Sequence, residues 1–305
     1  MTYIFDSLIP IFSLILIGYF FKKISFPSND FWSQADKLTY YILMPALLIF
    51  ELSNAKLNLN DNLEFIGSAF SAITLTMFFL ILINKFKSIN PSSFTSVVQG
   101  GIRFNTYLFL ALAGSIFGKD GLILSAILLT FAIPFLNILC ITIFAIFMKN
   151  EKLDFLYLIK SIITNPLIVA CFIGGSINIL GIQLPIALNN TLAILSKGAL
   201  VLGLLSIGFA LVIKDINSFK YELFLSSLAK FIILPISIFA FGNYFELNSE
   251  MISILVLFAV LPTAPSAFIL ARQLGGNISL MSSIITIQTL LSVIFIILFL
   301  NIFFK

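Results

Sequence analysis

The chain has 305 residues, of which 60% are hydrophobic and only 10% charged, and its mean hydropathy of +1.13 lies far above that of soluble globular domains. The formal net charge is +4, histidine is absent, and the two cysteines, Cys140 and Cys171, stand alone in apolar runs. This composition excludes zinc sites, His-based proton relays and Ser-His or Cys-His catalysis. We therefore predict an integral membrane protein, not an enzyme, that needs no cofactor or metal and works in a lipid bilayer rather than on nucleic acid.

Apolar runs long enough to cross a bilayer follow one another from the beginning of the sequence to its end. The first run has neither a basic region before it nor a small-residue cleavage site after it, so we predict a span there rather than a signal peptide. The fold class predicted is all-α, with a single membrane domain that covers residues 1–305. Charged or Gly/Asn/Pro-rich breaks divide the sequence into ten predicted spans, at residues 3–21, 33–53, 64–84, 94–117, 121–148, 156–180, 190–213, 221–243, 251–273 and 278–304.

Basic residues are unequally divided between the two ends of these spans. With the N-terminus outside, only Lys56, Lys119 and Lys305 lie on the outer side. The positive-inside rule therefore predicts that both termini face the non-cytoplasmic side. The heavy use of Ile, Phe, Asn and Lys is typical of an A+T-rich genome and favours a bacterial inner membrane. The residues at the cytoplasmic ends are Lys22, Lys23, Lys85, Lys87, Lys149, Lys152, Lys160, Lys214, Lys220 and Arg272.

The second half of the chain repeats features of the first half at a shift of 156 to 159 residues. Each half holds five spans, an odd number, so the second copy would enter the membrane from the opposite side. The pattern predicts two inverted five-helix repeats, residues 1–150 and 151–305. The matching pairs include Pro10 with Pro166, Gly18 with Gly174, Glu64 with Glu222 and Ser68 with Ser226.

One pair of equivalent positions interrupts the fourth and ninth spans with polar and helix-breaking residues. A shift of 159 aligns RFNTYLF, residues 103–109, with PTAPSAF, residues 262–268. Asn105 is a favourable N-cap for a helix that restarts at Thr106. A proline removes a backbone donor and crowds the preceding turn. Each break alone could be a simple kink, but two breaks at equivalent positions favour a functional crossover.

Each broken helix would restart at this crossover with an N-terminus, which carries about half a positive charge and free N–H groups. Two such ends at one place predict an anion-binding site. The candidate substrate-binding residues are Arg103, Asn105, Thr106, Pro262, Thr263, Pro265 and Ser266.

Ionisable residues are rare at membrane depth, where each costs roughly 2.5 to 3.5 kcal/mol. Arg103 begins the fourth-span break and Lys230 lies about nine residues into the eighth span, whereas no Asp or Glu lies in the middle of a span. The net positive interior favours an anionic substrate, with Lys230 as an electrostatic or coupling group. Alternatively, Lys230 snorkels to the cytoplasmic surface. Gln288 and Asn137 are candidates for lining the site, unless they only form interhelical hydrogen bonds.

The combination of IPIFSLILIGYFFKK, YYILMPALLIF, QGGIRFNTYLF, AIPFLN and AVLPTAPSAFILARQLGG resembles the auxin efflux carrier family over essentially the whole chain. Prokaryotic members of that family are mostly described as permeases for malate, malonate and similar acids. The resemblance implies inverted five-helix repeats like those of bile acid/sodium symporters, broken fourth and ninth helices that cross at the substrate site, and a homodimer. This chain departs from the plant members in having no proline at the fourth-span break and no acidic residue deep in the third span to pair with Lys230, which argues against a carboxylate proton relay.

The sequence thus predicts a secondary transporter that moves a small organic anion, a mono- or dicarboxylate, by alternating access with proton or sodium coupling. Two alternatives stay open. In one, exposed carbonyl groups at the crossover hold Na⁺ and the protein is a sodium-coupled symporter like the bile acid carriers. In the other, the broken helices line a passive channel.

Overall fold

A computed structural model describes residues 2–54, 59–148, 163–211 and 216–303. All regular elements within these ranges are helical, which confirms the predicted all-α class. The α-helices are α1 (Thr2–Lys23), α2 (Asn29–Leu38), α3 (Met44–Ser53), α4 (Leu59–Phe86), α5 (Pro91–Ile102), α6 (Thr106–Met148), α7 (Pro166–Ile179), α8 (Ile186–Ala210), α9 (Lys220–Leu228), α10 (Leu234–Tyr244), α11 (Ser249–Ala259), α12 (Ser266–Leu274) and α13 (Ile278–Phe303).

Five helical stretches in the described part of the chain are long and apolar enough to cross a membrane. Pro166–Ile179 and Ser249–Ala259 are apolar but shorter. The ten spans and their division into the repeats 1–150 and 151–305 stay predictions. The five long stretches are Leu63–Phe86, Pro91–Met148, Ile186–Ala210, Lys220–Tyr244 and Ile278–Phe299.

Polar caps and glycines mark the helix ends. Asn90 precedes Pro91, and its side chain accepts a hydrogen bond from the amide of Ser92 at the start of α5. Gly275 ends α12 in the left-handed conformation, with φ of 81°. At Gly118 the φ of 67° interrupts α6, so this element consists of two helices joined at a kink, where the sequence predicts a boundary between spans.

Two π-helical turns, Thr39–Leu43 and Ala229–Ile233, join α2 to α3 and α9 to α10. Each turn ends two residues before a proline, Pro45 or Pro235. In both, the amide just before the proline donates to the carbonyl five positions earlier. A proline cannot donate and its ring crowds the carbonyl of the preceding turn, and the wider turn relieves that crowding without ending the helix.

The described helices form two compact units, each assembled from both halves of the chain. The first unit comprises Met1–Asn62, Tyr107–Pro134 and Phe155–Ala210. Within it, the glycine at position 18 lets α1 and α8 approach so closely that a Cβ there would collide with the carbonyl of Leu205. Cys171 is buried in this unit as a free thiol.

The second unit comprises Leu63–Thr106, Phe135–Asp154 and Leu211–Lys305. Its helix α5 packs against α9 and α13 at Gly100, where a Cβ would collide with the hydroxyl of Ser226. Cys140 is buried here, also as a free thiol. Both interruptions at the predicted crossover, residues 103–105 and 260–265, lie in this unit.

Candidate functional site

The first helix break separates α5 from α6. Arg103 follows α5 in an extended conformation, with φ of −77° and ψ of 155°, and its amide donates to the carbonyl of Gln99 at 2.9 Å. The helix restarts at Thr106, as predicted from the sequence. Phe104 and Asn105, between the two helices, are buried. The break is therefore three residues long and is enclosed by protein.

The second helix break separates α11 from α12 and contains Pro262, Thr263 and Pro265. Thr263 is completely buried, whereas Ser266, the first residue of α12, is exposed. The amide of Ala267 donates to the carbonyl of Ala264 at 3.0 Å, which closes a tight first turn. The structure thus interrupts both helices where the sequence predicts breaks.

Thr263 and Gln288 connect the two breaks. The backbone N–H and the hydroxyl of Thr263 lie 3.0 and 2.8 Å from Gln288 Oε1. Gln288 Nε2 donates to the carbonyl of Gly100 at 2.9 Å and to Ser226 Oγ at 3.2 Å. The Thr263 hydroxyl also lies 3.0 Å from the Gly100 carbonyl, which belongs to the last turn of α5. A carbonyl in that position has no partner within its own helix, and side chains from α13 and the second break supply one.

Arg103 reaches from the first break to the second. Its Nη1 donates to Asn137 Oδ1 at 3.0 Å and its Nη2 donates to Ser266 Oγ at 3.3 Å. Both acceptors are neutral, and no ion pair of Arg103 is seen among the residues that the structure describes. The guanidinium therefore lies at the N-terminal end of α12, where the helix dipole is also positive. Two positive potentials at one half-buried place favour binding of an anion.

Lys230 lies in the second π-helical turn and is completely buried. Its Nζ is 5.6 Å from the centre of the Phe258 ring, and it has no hydrogen-bond acceptor within the described ranges. The Phe258 ring in turn packs against Phe104 of the first break, with ring centres 4.4 Å apart. The amino group is thus inside the protein rather than at a surface, in contrast to the snorkelling alternative.

The structure brings together Arg103, Asn137 and Ser266 in one cluster and Thr263 and Gln288 in another. Asn105 and Thr106 lie beside Arg103 in the chain, Pro262 and Pro265 flank Thr263, and Lys230 reaches the breaks through the two phenylalanine rings. Sequence reasoning did not find the remaining participants. The alignment of Ser226 with Ser68 in the repeat is the one sequence signal for any of them. A backbone carbonyl acceptor and a contact between two aromatic rings leave no pattern in a sequence. These participants are the Gly100 carbonyl, Ser226, Phe104 and Phe258.

Comparison with known proteins gives three results. A family model described as membrane transport protein matches residues 152–300. The "Uncharacterized transporter YfdV" of Escherichia coli (strain K12) is 25% identical over 287 residues, which cover 90% of this chain and 89% of that protein. A "Putative malonate transporter" of Rhizobium meliloti (strain 1021) is 23% identical over 310 residues, which cover 96% of this chain and 93% of that protein. These matches confirm the family resemblance predicted from the sequence motifs.

Proposed function

We propose that this chain, a multi-pass membrane transport protein of the auxin efflux carrier family, is a secondary transporter that carries a small organic anion by alternating access. The proposal rests on the environment of Arg103, whose guanidinium lies at the N-terminal end of α12, bonds the neutral side chains of Asn137 and Ser266, and forms no ion pair in the described part of the chain. A cation without an acidic partner at a helix N-terminus is suited to receive an anion from outside the protein.

The substrate class that fits this environment is a mono- or dicarboxylate. A guanidinium presents parallel N–H groups that match the two oxygens of a carboxylate. Asn105 and Thr106 follow Arg103 and would add hydrogen bonds, as would backbone groups near Pro262, Thr263, Pro265 and Ser266. The relative named as a malonate transporter is consistent with this class. Lys230 would add positive potential, and no acceptor within the described residues would compete with the substrate for it.

The membrane arrangement that we propose has ten spans in two inverted repeats, 1–150 and 151–305, with the two breaks as the crossover. Helix α6 has 43 residues, which at about 1.5 Å per residue exceed the roughly 30 Å hydrocarbon core about twofold. Its kink at Gly118 would therefore separate two spans. Both termini would face the non-cytoplasmic side of a bacterial inner membrane. A homodimer and coupling to a proton or sodium gradient complete the proposal.

The test is uptake of labelled malonate, malate and acetate into proteoliposomes that contain the purified protein. We expect Arg103→Lys to lower uptake at limiting substrate by about tenfold or more, because a charged hydrogen bond contributes roughly 1.5 to 3 kcal/mol and lysine lacks the planar fork. Arg272→Lys is the matched control, since Arg272 is exposed in the last turn of α12 and lies over the Phe268 ring at 5.0 Å.

Three further results would decide between this function and its alternatives. Unchanged uptake in Arg103→Ala, Asn105→Ala and Pro265→Ala together would contradict the site. Flux that rises linearly with substrate would favour a passive channel over a carrier. Absence of uptake for every carboxylate in the parent protein would contradict the substrate class.

A further inference from the structure

We propose that Gln288 is a positioning residue that fastens the two helix breaks to each other, and that its NH₂ group serves where a sodium-coupled carrier would place a cation. It joins groups from three other elements, the end of α5, the second break and α9, to its own helix α13. This inference rests on the proposed function, because it assigns a role to a contact between the breaks that would form the substrate site.

The orientation of the Gln288 amide follows from its neighbours. The backbone N–H of Thr263 can only donate, so the atom facing it at 3.0 Å must be Oε1. The carbonyl of Gly100 can only accept, so the atom facing it at 2.9 Å must be Nε2. Two backbone groups of fixed character thus determine which way the side chain points, and a reversed amide would set a donor against the Thr263 N–H and an acceptor against the Gly100 carbonyl.

Burial makes this contact costly to lose. Gln288, Thr263, Gly100 and Ser226 are all shielded, with exposed fractions of 0% for Gln288, Thr263 and Ser226. A buried polar group that loses its partner pays its full desolvation penalty, since water cannot replace the bond. Opening the contact would expose four such groups at once, so the two breaks are expected to stay joined when substrate binds and leaves.

The contact also occupies the oxygens that a cation would need. Carbonyl groups of unwound helices are the ligands by which many secondary carriers hold Na⁺. Here the Gly100 carbonyl accepts from Gln288 Nε2, and the single hydroxyl proton of Thr263 can reach either that carbonyl or Gln288 Oε1. The Ser226 hydroxyl accepts from the same amide. The neutral NH₂ group therefore bonds the oxygens that Na⁺ would otherwise coordinate, and we expect no sodium ion to be needed between the two breaks.

The first experiment measures KM per folded protein for Gln288→Leu and Thr263→Val in the malonate uptake assay. We expect KM to rise by about tenfold in each, as follows from leaving one or two buried groups unpaired, and to rise no further in the double variant, because both changes remove one contact. Thr289→Val is the control, since within the described residues the Thr289 hydroxyl bonds only the Ile285 carbonyl of its own helix, at 2.7 Å. A purely structural role would lower the yield and leave KM unchanged, which would overturn the proposal.

The second experiment measures hydrogen–deuterium exchange of the segment 260–266, and it needs neither transport nor a folded Gln288→Leu variant. Ser226→Ala, which removes one acceptor only, and Thr263→Val should both exchange faster there than Thr289→Val and the parent. Equal exchange in all four proteins would overturn the proposal. If the parent transports no carboxylate but the exchange differs, the proposed function fails and the contact between the breaks stands.

The third measurement compares parent uptake in sodium and in choline medium. Equal uptake is expected if the Gln288 amide takes the place of a cation, and it would leave the proton as the coupling ion of the proposed function. A KM that falls strongly with sodium would overturn that part of the inference and favour the symporter alternative.

Discussion

The first helix break spans three residues and contains no proline, whereas the second spans six residues and contains two. Pro262 and Pro265 cannot donate a backbone hydrogen bond, so the second break is encoded locally. The first break has polar residues but no proline, and it is also supported from far away in sequence by Gln288, which bonds the Gly100 carbonyl at a separation of 188 residues. Two breaks at equivalent positions can therefore have different causes, and mutations should affect them to different degrees.

The largest effect is expected from Gly100→Ala, which disturbs the packing of the end of α5 against Ser226 beside the first break. An added Cβ would collide with the Ser226 hydroxyl and lie 2.7 Å from Ile284 Cγ2, so the free energy of unfolding should fall by about 1 to 3 kcal/mol. Uptake per folded protein should also fall, because the displaced Ser226 is a hydrogen-bond partner of Gln288. Thermal unfolding and uptake would be compared with those of Gly175→Ala, where a Cβ meets nothing within 4 Å. Equal unfolding temperatures and equal uptake of the two variants would mean that the close contact of α5 with Ser226 is not needed.

An intermediate effect is expected from Lys230→Met, because Lys230 lies over the ring of Phe258 in α11, which packs against Phe104 of the first break. Removing an unpaired buried ammonium should raise the free energy of unfolding by about 1 kcal/mol or more, while the loss of positive potential lowers anion uptake by about tenfold. Lys197→Met is the control, because Lys197 is exposed on α8. If both stability and uptake fall, the ammonium has a partner that supports the fold instead.

The smallest effect is expected from Pro265→Ala, which tests how firmly the second break is encoded. Pro262 remains, and the Thr263 amide is still held by Gln288, so the break should persist and uptake should fall only about threefold. Pro10→Ala serves as the control, since that proline lies inside α1, in the compact unit that holds neither break. Complete loss of uptake in Pro265→Ala would show that the second break depends on this proline alone.

The sequence predicts the local features of this fold better than its long-range contacts. RFNT and PTAP predict both interruptions and the restart at Thr106, because glycine, proline and capping residues act on their own backbone. The bonds from Gln288 and Thr263 to Gly100 join residues more than 160 positions apart, and periodicity carries no information on such pairs. The same holds for the assembly of each compact unit from both halves of the chain. The sequence likewise leaves open whether Lys230 points inward or snorkels to the surface, because that choice depends on contacts with residues far away in the chain.

The π-helical turn that holds Lys230 also sets the angular register of its helix. A turn with one residue more than an α-helical turn rotates the preceding segment by about 100° relative to the following one. The face that α9 presents to α5, with Ser226 on it, is therefore fixed relative to α10 by a single extra residue next to Pro235. Loss of that residue would turn Ser226 away from Gly100 without changing any side chain in the site. One position in the count of residues thus decides whether the polar contact can form.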